Sequence, residues 1–282
     1  MKLAATVRRR EDESHAELAR RVTELGYHGA SIGFDHRWDE AELLAIRTAF
    51  DQQGVDIVEL RCYCNFLTPR DDEARRNIDR LQRALQAGAI LNCDHAVTYV
   101  GSRHPDPDQP FAAHPDNWAD ATWELLVQRI WAVLDGVDDI GVRLCFEPAP
   151  TTTLRSLDAL ADLTADATSV RVRVALDPAA IFTPEAVRQP KRALAEIFDT
   201  LADAIAVARA TDVALDESGP EPVACPVPLG EGALDYETYL KLVAALQRPA
   251  PVVVPYVDGE EECRAARQFL LAAAQNAGVA VE

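Results

Sequence analysis

The sequence predicts a closed (β/α)8 barrel of the α/β class, and three observations carry that prediction. The chain has 282 residues, 48% of them hydrophobic and 26% charged, which suits one large core and a single domain over residues 1–282. Apolar periodicity switches between short strand-like runs and longer amphipathic stretches through eight successive units, the alternation that builds a parallel sheet with helices outside it. No glycine-rich dinucleotide turn follows the first strand, where Arg8, Arg9 and Arg10 stand instead, and this favours closure over an open doubly wound sheet.

Taken in order, the first unit is a strand over 3–7 and a helix over 14–25. Ser14 with Glu17 reads as a capping box at its start, and Gly26 follows its end. The second unit, 29–34 and 40–52, is followed by Gly54. Strands over 55–61, 95–100 and 142–147 come next, with helices over 72–86, 117–134 and 156–164. The last three units are 172–177 with 191–201, 204–209 with 236–246, and 252–257 with 260–274, and Asp235 is well placed to cap the helix over 236–246. Two stretches lack periodicity, 101–116 and 215–232, each with four prolines. Both follow strands, so in a barrel both lie over the C-terminal face, where loops build active sites.

Charge narrows the partners. A formal net charge of −18, from 46 acidic and 28 basic residues, repels nucleic acid and anionic membrane. Only three of the basic residues are lysines, Lys2, Lys191 and Lys241, a bias that reads as genome composition or mild salt adaptation. The six cysteines show no CxxC pair and no metal-ribbon spacing, and read as reduced, mostly buried thiols. Met1 leads directly into a strand pattern without an export signal, and no apolar run approaches the roughly 18 residues that would cross a bilayer. A cytoplasmic location follows as the expectation, with a small carbohydrate-like molecule as partner. Homo-oligomerisation stays open, because no strong surface patch argues for it.

The strand ends and the loops beyond them define the candidate functional face. They bring together Arg8 and Arg9, Asp35 to Arg37, Arg61, Tyr63 and Asn65, Tyr99, Ser102, Arg103 and His104. The second half adds Glu147, Asp177, Arg209 with Asp212, and Tyr256 with Asp258. Arg61, Arg103 and Arg8 suit an anionic substrate. Trp38, in the loop after the second strand, offers an amphipathic ring on which a sugar can stack.

Four strings add a resemblance that spans nearly the whole chain: LCFEPAPTTTLRSL over 144–157, VALDPAAIF over 174–182, VPLGEGALDYETYL over 227–240 and AVTYVGSRHP over 96–105. In order and spacing they resemble the sugar phosphate isomerase/epimerase superfamily, the xylose isomerase-like TIM barrels. That resemblance implies one divalent cation held by a glutamate, an aspartate, a histidine and a second glutamate on strands five to eight, with the two glutamates exchanging a proton beside a carbonyl. Glu147 and Asp177 match the first two ligands. Anchoring the alignment on Asp212 sets Arg209 against the histidine and Pro255 against the second glutamate. No neighbouring position restores the histidine, since all six histidines precede residue 115.

An arginine has no lone pair to offer a metal. Two readings stay open. Either Arg209 takes the cation's place between Glu147 and Asp177 with no metal bound, or Mn, Mg, Co or Zn binds weakly, completed by water and by Asp212, Asp258 or His104. The resemblance therefore implies an isomerase- or epimerase-like enzyme acting on a sugar, sugar phosphate or polyol acid, with Glu147 and Asp177 catalytic and with Arg209, Arg61, His104, Asp212, Trp38 and Tyr256 binding substrate. The alternative is a barrel that has lost catalysis and serves as a ligand-binding or regulatory protein. An endonuclease of the related DNA-repair branch would need a histidine-rich metal cluster and a basic face, and the chain offers neither.

Overall fold

Valine- and alanine-rich runs bounded by polar turns form a closed ring in the computed structural model, which describes residues 1–137, 139–255 and 259–282. The ring comprises β1 (Leu3–Thr6), β2 (Gly29–Gly33), β3 (Asp56–Arg61), β4 (His95–Tyr99), β5 (Arg143–Glu147), β6 (Val172–Leu176) and β7 (Ile205–Arg209). An antiparallel hairpin, β8 (Asp212–Asp216) and β9 (Val223–Val227), precedes the last barrel strand, β10 (Val252–Val254), which pairs in parallel with both β7 and β1. The strand expected over 252–257 is thus seen over its first half; 256–258 lie outside the described residues.

Helices α1 (His15–Glu24), α2 (Glu40–Gln52), α3 (Asp71–Leu91), α4 (Asp120–Asp135) and α5 (Leu157–Asp166) follow the first five strands. Two short helices, α6 (Pro178–Ile181) and α7 (Pro184–Arg188), lead into α8 (Pro190–Leu201), and α9 (Tyr236–Ala244) and α10 (Glu260–Ala277) complete the set. The capping box is formed: Glu17 N–H donates to Ser14 Oγ at 3.2 Å, and Ser14 N–H donates to Glu17 Oε2 at 2.8 Å. Asp235 caps α9 by accepting from Thr238 N–H at 2.8 Å. Among the described residues no helix is long and apolar enough to cross a membrane, and all six cysteines are free thiols.

Three departures from the expected pattern have local causes. Helix α3 runs through Gly88, where a side chain would meet Val142 Cγ1 at 3.0 Å and the Cys93 carbonyl at 3.1 Å. The glycine therefore serves close helix-to-strand packing and does not end the helix. The stretch 117–134 begins with a 3-10 turn, Pro115–Trp118, before α4. The proline-rich stretch 215–232 contains β9, in which Pro226 faces Val213; a two-stranded hairpin is all edge, so it tolerates a proline that an interior strand would not.

Inside the ring, Ala4, Val58, Val97, Cys145, Ala175, Val207 and Val253 form a buried apolar plug. Each large aliphatic side chain removed from water in this way contributes about 1.5–3 kcal/mol. The plug also makes an apolar floor beneath the polar residues at the C-terminal ends of the strands.

Candidate active site at the barrel mouth

Strand β5 ends on Glu147 and β7 on Arg209, while Asp177 stands one residue past β6 as the N-cap of α6. Parallel strands end together, so these side chains meet at one rim. Arg209 donates to Glu147 Oε2 from Nη2 at 2.6 Å and from Nε at 3.1 Å. Its Nη1 donates to Glu59 Oε1 at 2.7 Å, and Tyr239 O–H donates to the Arg209 carbonyl at 2.9 Å. Tyr63 O–H donates to Glu147 Oε2 at 2.8 Å. Among the described residues Glu147 Oε1 takes no hydrogen bond.

Glu59 is the residue that the sequence pattern does not disclose. Strict alternation along β3 puts Val58 and Glu59 on opposite faces. The β2–β3 register instead shifts between Ala30 and Ser31, with Ala30 opposite Ile57 and Ser31 opposite Glu59. Val58 is the extra residue of a bulge, so it joins the interior plug while its neighbour Glu59 also turns inward. Ser31 Oγ donates to Glu59 Oε1 at 2.5 Å, and the buried Glu59 Oε2 has no hydrogen-bond partner among the described residues.

The guanidinium thus sits in a carboxylate fork, but its second arm is Glu59. Asp177 instead accepts from Ala179 N–H at 3.0 Å and from Thr211 O–H. Arg209 is 3% exposed and Glu59 wholly buried, whereas the Glu147 side chain is 23% exposed and opens to the mouth. Burial alone would favour loss of the Arg209 proton, but Glu147 and Glu59 hold the group charged. Burial, reinforced by the charge of Glu147, pushes the Asp177 carboxyl up to about 6, against the hydrogen bond from Thr211 and the charge of Arg209. Burial and Glu147 also raise the Tyr63 phenol, which therefore stays a neutral donor. Its ring stacks on Tyr99 with centroids 5.2 Å apart, and Tyr99 meets Phe111 at 3.9 Å, giving the mouth an aromatic wall.

The remaining candidates divide. Asp212 is buried, and its carboxylate accepts backbone N–H groups from Val213 (2.9 Å), Gly230 (3.0 Å), Gly232 (3.0 Å) and Leu234 (3.1 Å). A side chain at 232 would lie 2.1 Å from Asp212 Oδ1, so the GEG turn is a wrapping around this carboxylate, which leaves it for loop anchoring and not for substrate. His104 Nδ1 accepts from Asp106 N–H at 3.2 Å, and its ring meets His114 edge-on at 5.9 Å. Arg103 donates to the Leu67 and Thr68 carbonyls and braces that loop. Trp38 and Arg61 line a separate cavity beside the fork. Tyr256 and Asp258 lie outside the described residues.

The four positions that would hold a cation read Glu147, Asp177, Arg209 and Pro255, and this donor set does not fit a divalent ion. Arg209 is a permanent cation bonded to the first ligand, Pro255 has no donor side chain, and among the described residues no three His, Cys, Asp or Glu side chains gather as a metal set.

The comparisons with known proteins agree with this architecture. Residues 19–273 match the sequence model of the family described as xylose isomerase-like TIM barrel. A xylose isomerase-like TIM-barrel protein from Mycobacterium smegmatis, solved in complex with magnesium, superposes with a TM-score of 0.74 at 15% identity, covering 98% of this chain and 97% of its own. A probable 3-DHS dehydratase from Bacillus anthracis does so at 0.72 and 14%, covering 96% and 99%. D-psicose 3-epimerase from Clostridium cellulolyticum, solved with D-tagatose, gives 0.71 and 13%, covering 97% and 99%. Likeness at these identities is likeness of fold. No curated protein matches the sequence.

Proposed function

Because the chain belongs to the xylose isomerase-like TIM-barrel family, matched over residues 19–273, we propose that it is a sugar-modifying enzyme that moves a proton at the carbon beside a carbonyl, in the manner of an isomerase or epimerase. The observation that carries this reading is the Arg209–Glu147 pair. Both of its hydrogen bonds fall on Oε2, and among the described residues none falls on Oε1 in the half-open mouth. Family neighbours that include an epimerase and a dehydratase support the same class of chemistry.

The residues divide the work. Glu147 is held through its Oε2 by the guanidinium beside it, and its Oε1 removes the proton from the substrate carbon. The charge that builds on the substrate oxygen is offset by the positive charge of Arg209, with the Tyr63 phenol committed to Glu147 and an apolar floor beneath. Asp177, with its carboxyl pushed up to about 6, is half protonated at a pH near that value and only in small part at neutral pH, and that protonated fraction returns a proton to the carbon. The positive charge that a bound ion would supply is supplied here by an arginine.

The test is incubation of the protein in deuterated water with a panel of ketoses, aldoses, their phosphates and the corresponding acids. Deuterium should enter the carbon next to the carbonyl of at least one of them. A panel that stays unlabelled throughout removes the enzymatic reading. The absence of a second glutamate at Pro255 favours a second reading, a barrel that binds such a ligand without turning it over; binding without labelling is its signature.

A further inference from the structure

Beside the fork, a cavity of about 260 Å³ opens between the β1 and β2 ends of the mouth, lined by Val7, Arg8, Arg9, His15, Trp38 and Arg61 among others. Its composition runs against that of the chain. In a protein with a formal charge of −18, three of the residues lining this one hollow are arginines. We propose that this cavity is the subsite for a terminal anionic group of the substrate, a carboxylate or a phosphate, whose reacting carbonyl lies at Glu147. The proposal deepens the reading of the mouth as a carbohydrate site and rests on it.

Arg61 carries the argument. Among the described residues its Nη2 donates only to backbone carbonyls, Val7 at 3.0 Å and Ser31 at 3.4 Å, and its buried Nε has no hydrogen-bond partner. No acidic side chain among the described residues forms an ion pair with it. The nearby Glu59 is committed to Arg209 and Ser31. Burial and the charges of Arg209 and Arg8 weigh against the Arg61 cation, with Glu59 the attraction that opposes them. A buried cation with an unsatisfied donor is costly unless something arrives to pair with it. Arg9 adds a second cation, this one exposed, whose Nη1 donates to the Glu13 carbonyl at 3.0 Å.

The other wall fits the rest of such a ligand. Trp38 is held edge-on by Phe34 and His15, with centroids 6.1 and 6.0 Å away, and Val7 is buried beside it. An apolar wall facing guanidinium donors suits a carbon chain that ends in an anion. Arg61 ends β3 and Arg209 ends β7 on the same rim of the ring, so the cavity and the fork open at one mouth.

Equilibrium binding tests the subsite without any need for turnover. D-ribulose, D-ribulose 5-phosphate and D-gluconate are titrated calorimetrically into the wild type and the Arg61→Gln, Arg9→Gln and Glu147→Gln variants. The wild type should bind at least one of the two anions at least tenfold more tightly than the neutral sugar, and which anion wins identifies phosphate or carboxylate. Arg61→Gln should abolish that preference. Arg9→Gln, at an exposed side chain that folding does not need, should reduce it severalfold, and Glu147→Gln should leave it intact. Equal affinity for neutral and anionic ligands in the wild type overturns the proposal, as does a preference untouched by Arg9→Gln. Arginine-dependent binding of an anion with no isotope exchange on any substrate would keep the subsite and remove only the catalytic reading.

Discussion

Replacing Arg209 by methionine is expected to lower the free energy of unfolding by about 3–5 kcal/mol, the cost of removing one partner from a buried ion pair. The side chain keeps its length and loses its charge, so the packing term is small and the electrostatic one dominates. Glu59, wholly buried, would be left with Ser31 alone as a donor, and Glu147 with Tyr63 alone. Charge left unpaired above an apolar floor is not repaid by water. The double variant Glu59→Gln/Arg209→Met should recover most of the loss, because a neutral amide needs no counter-charge. Urea denaturation reads both effects as midpoint changes at constant slope, and the cycle isolates the coupling. A single-variant loss below about 1 kcal/mol would mean that Glu59 does not depend on this guanidinium.

Glu147→Gln should reduce isotope exchange by about a thousandfold, within the range that a positioned general base supplies. The amide has the shape of the carboxylate, and its oxygen still accepts from Arg209 and Tyr63, so folding and the Michaelis constant should change little. An amide cannot take a proton from carbon. Turnover therefore falls while binding survives, the pattern of an interaction made only in the transition state. Exchange within tenfold of the wild-type rate would remove Glu147 from the role of base.

These two variants mark the line between what the residues disclose in sequence and what they disclose only in space. The barrel is legible because each strand and helix has its own periodicity and breakers, as with Ser14 and Glu17 at α1. Glu147 and Arg209 are legible as neighbours because parallel strands in a ring must end on one rim. The second arm of the fork is different. A fork to Asp177 is the natural expectation from strand ends, but the bulge at Val58 turns Glu59 inward, and one inserted residue in a register leaves no trace in the alternation of DIVELR. Asp212 misleads for a related reason. Its position by the mouth suggests substrate contact, while three backbone N–H groups from a turn some twenty residues later, with that of Val213, occupy its oxygens. The β8–β9 hairpin is hidden by its prolines, which mark loops far more often than edge strands.

The substitution of a guanidinium for a metal ion is the claim on which the functional account turns, and titration with Mn²⁺ followed by electron paramagnetic resonance measures it directly. Because Arg209 already neutralises Glu147, the free-ion signal should grow with each addition as it does in buffer, in the wild type and in Glu147→Gln alike. A saturable loss of that signal at one ion per chain, abolished by Glu147→Gln, would place a metal at the fork and contradict the account.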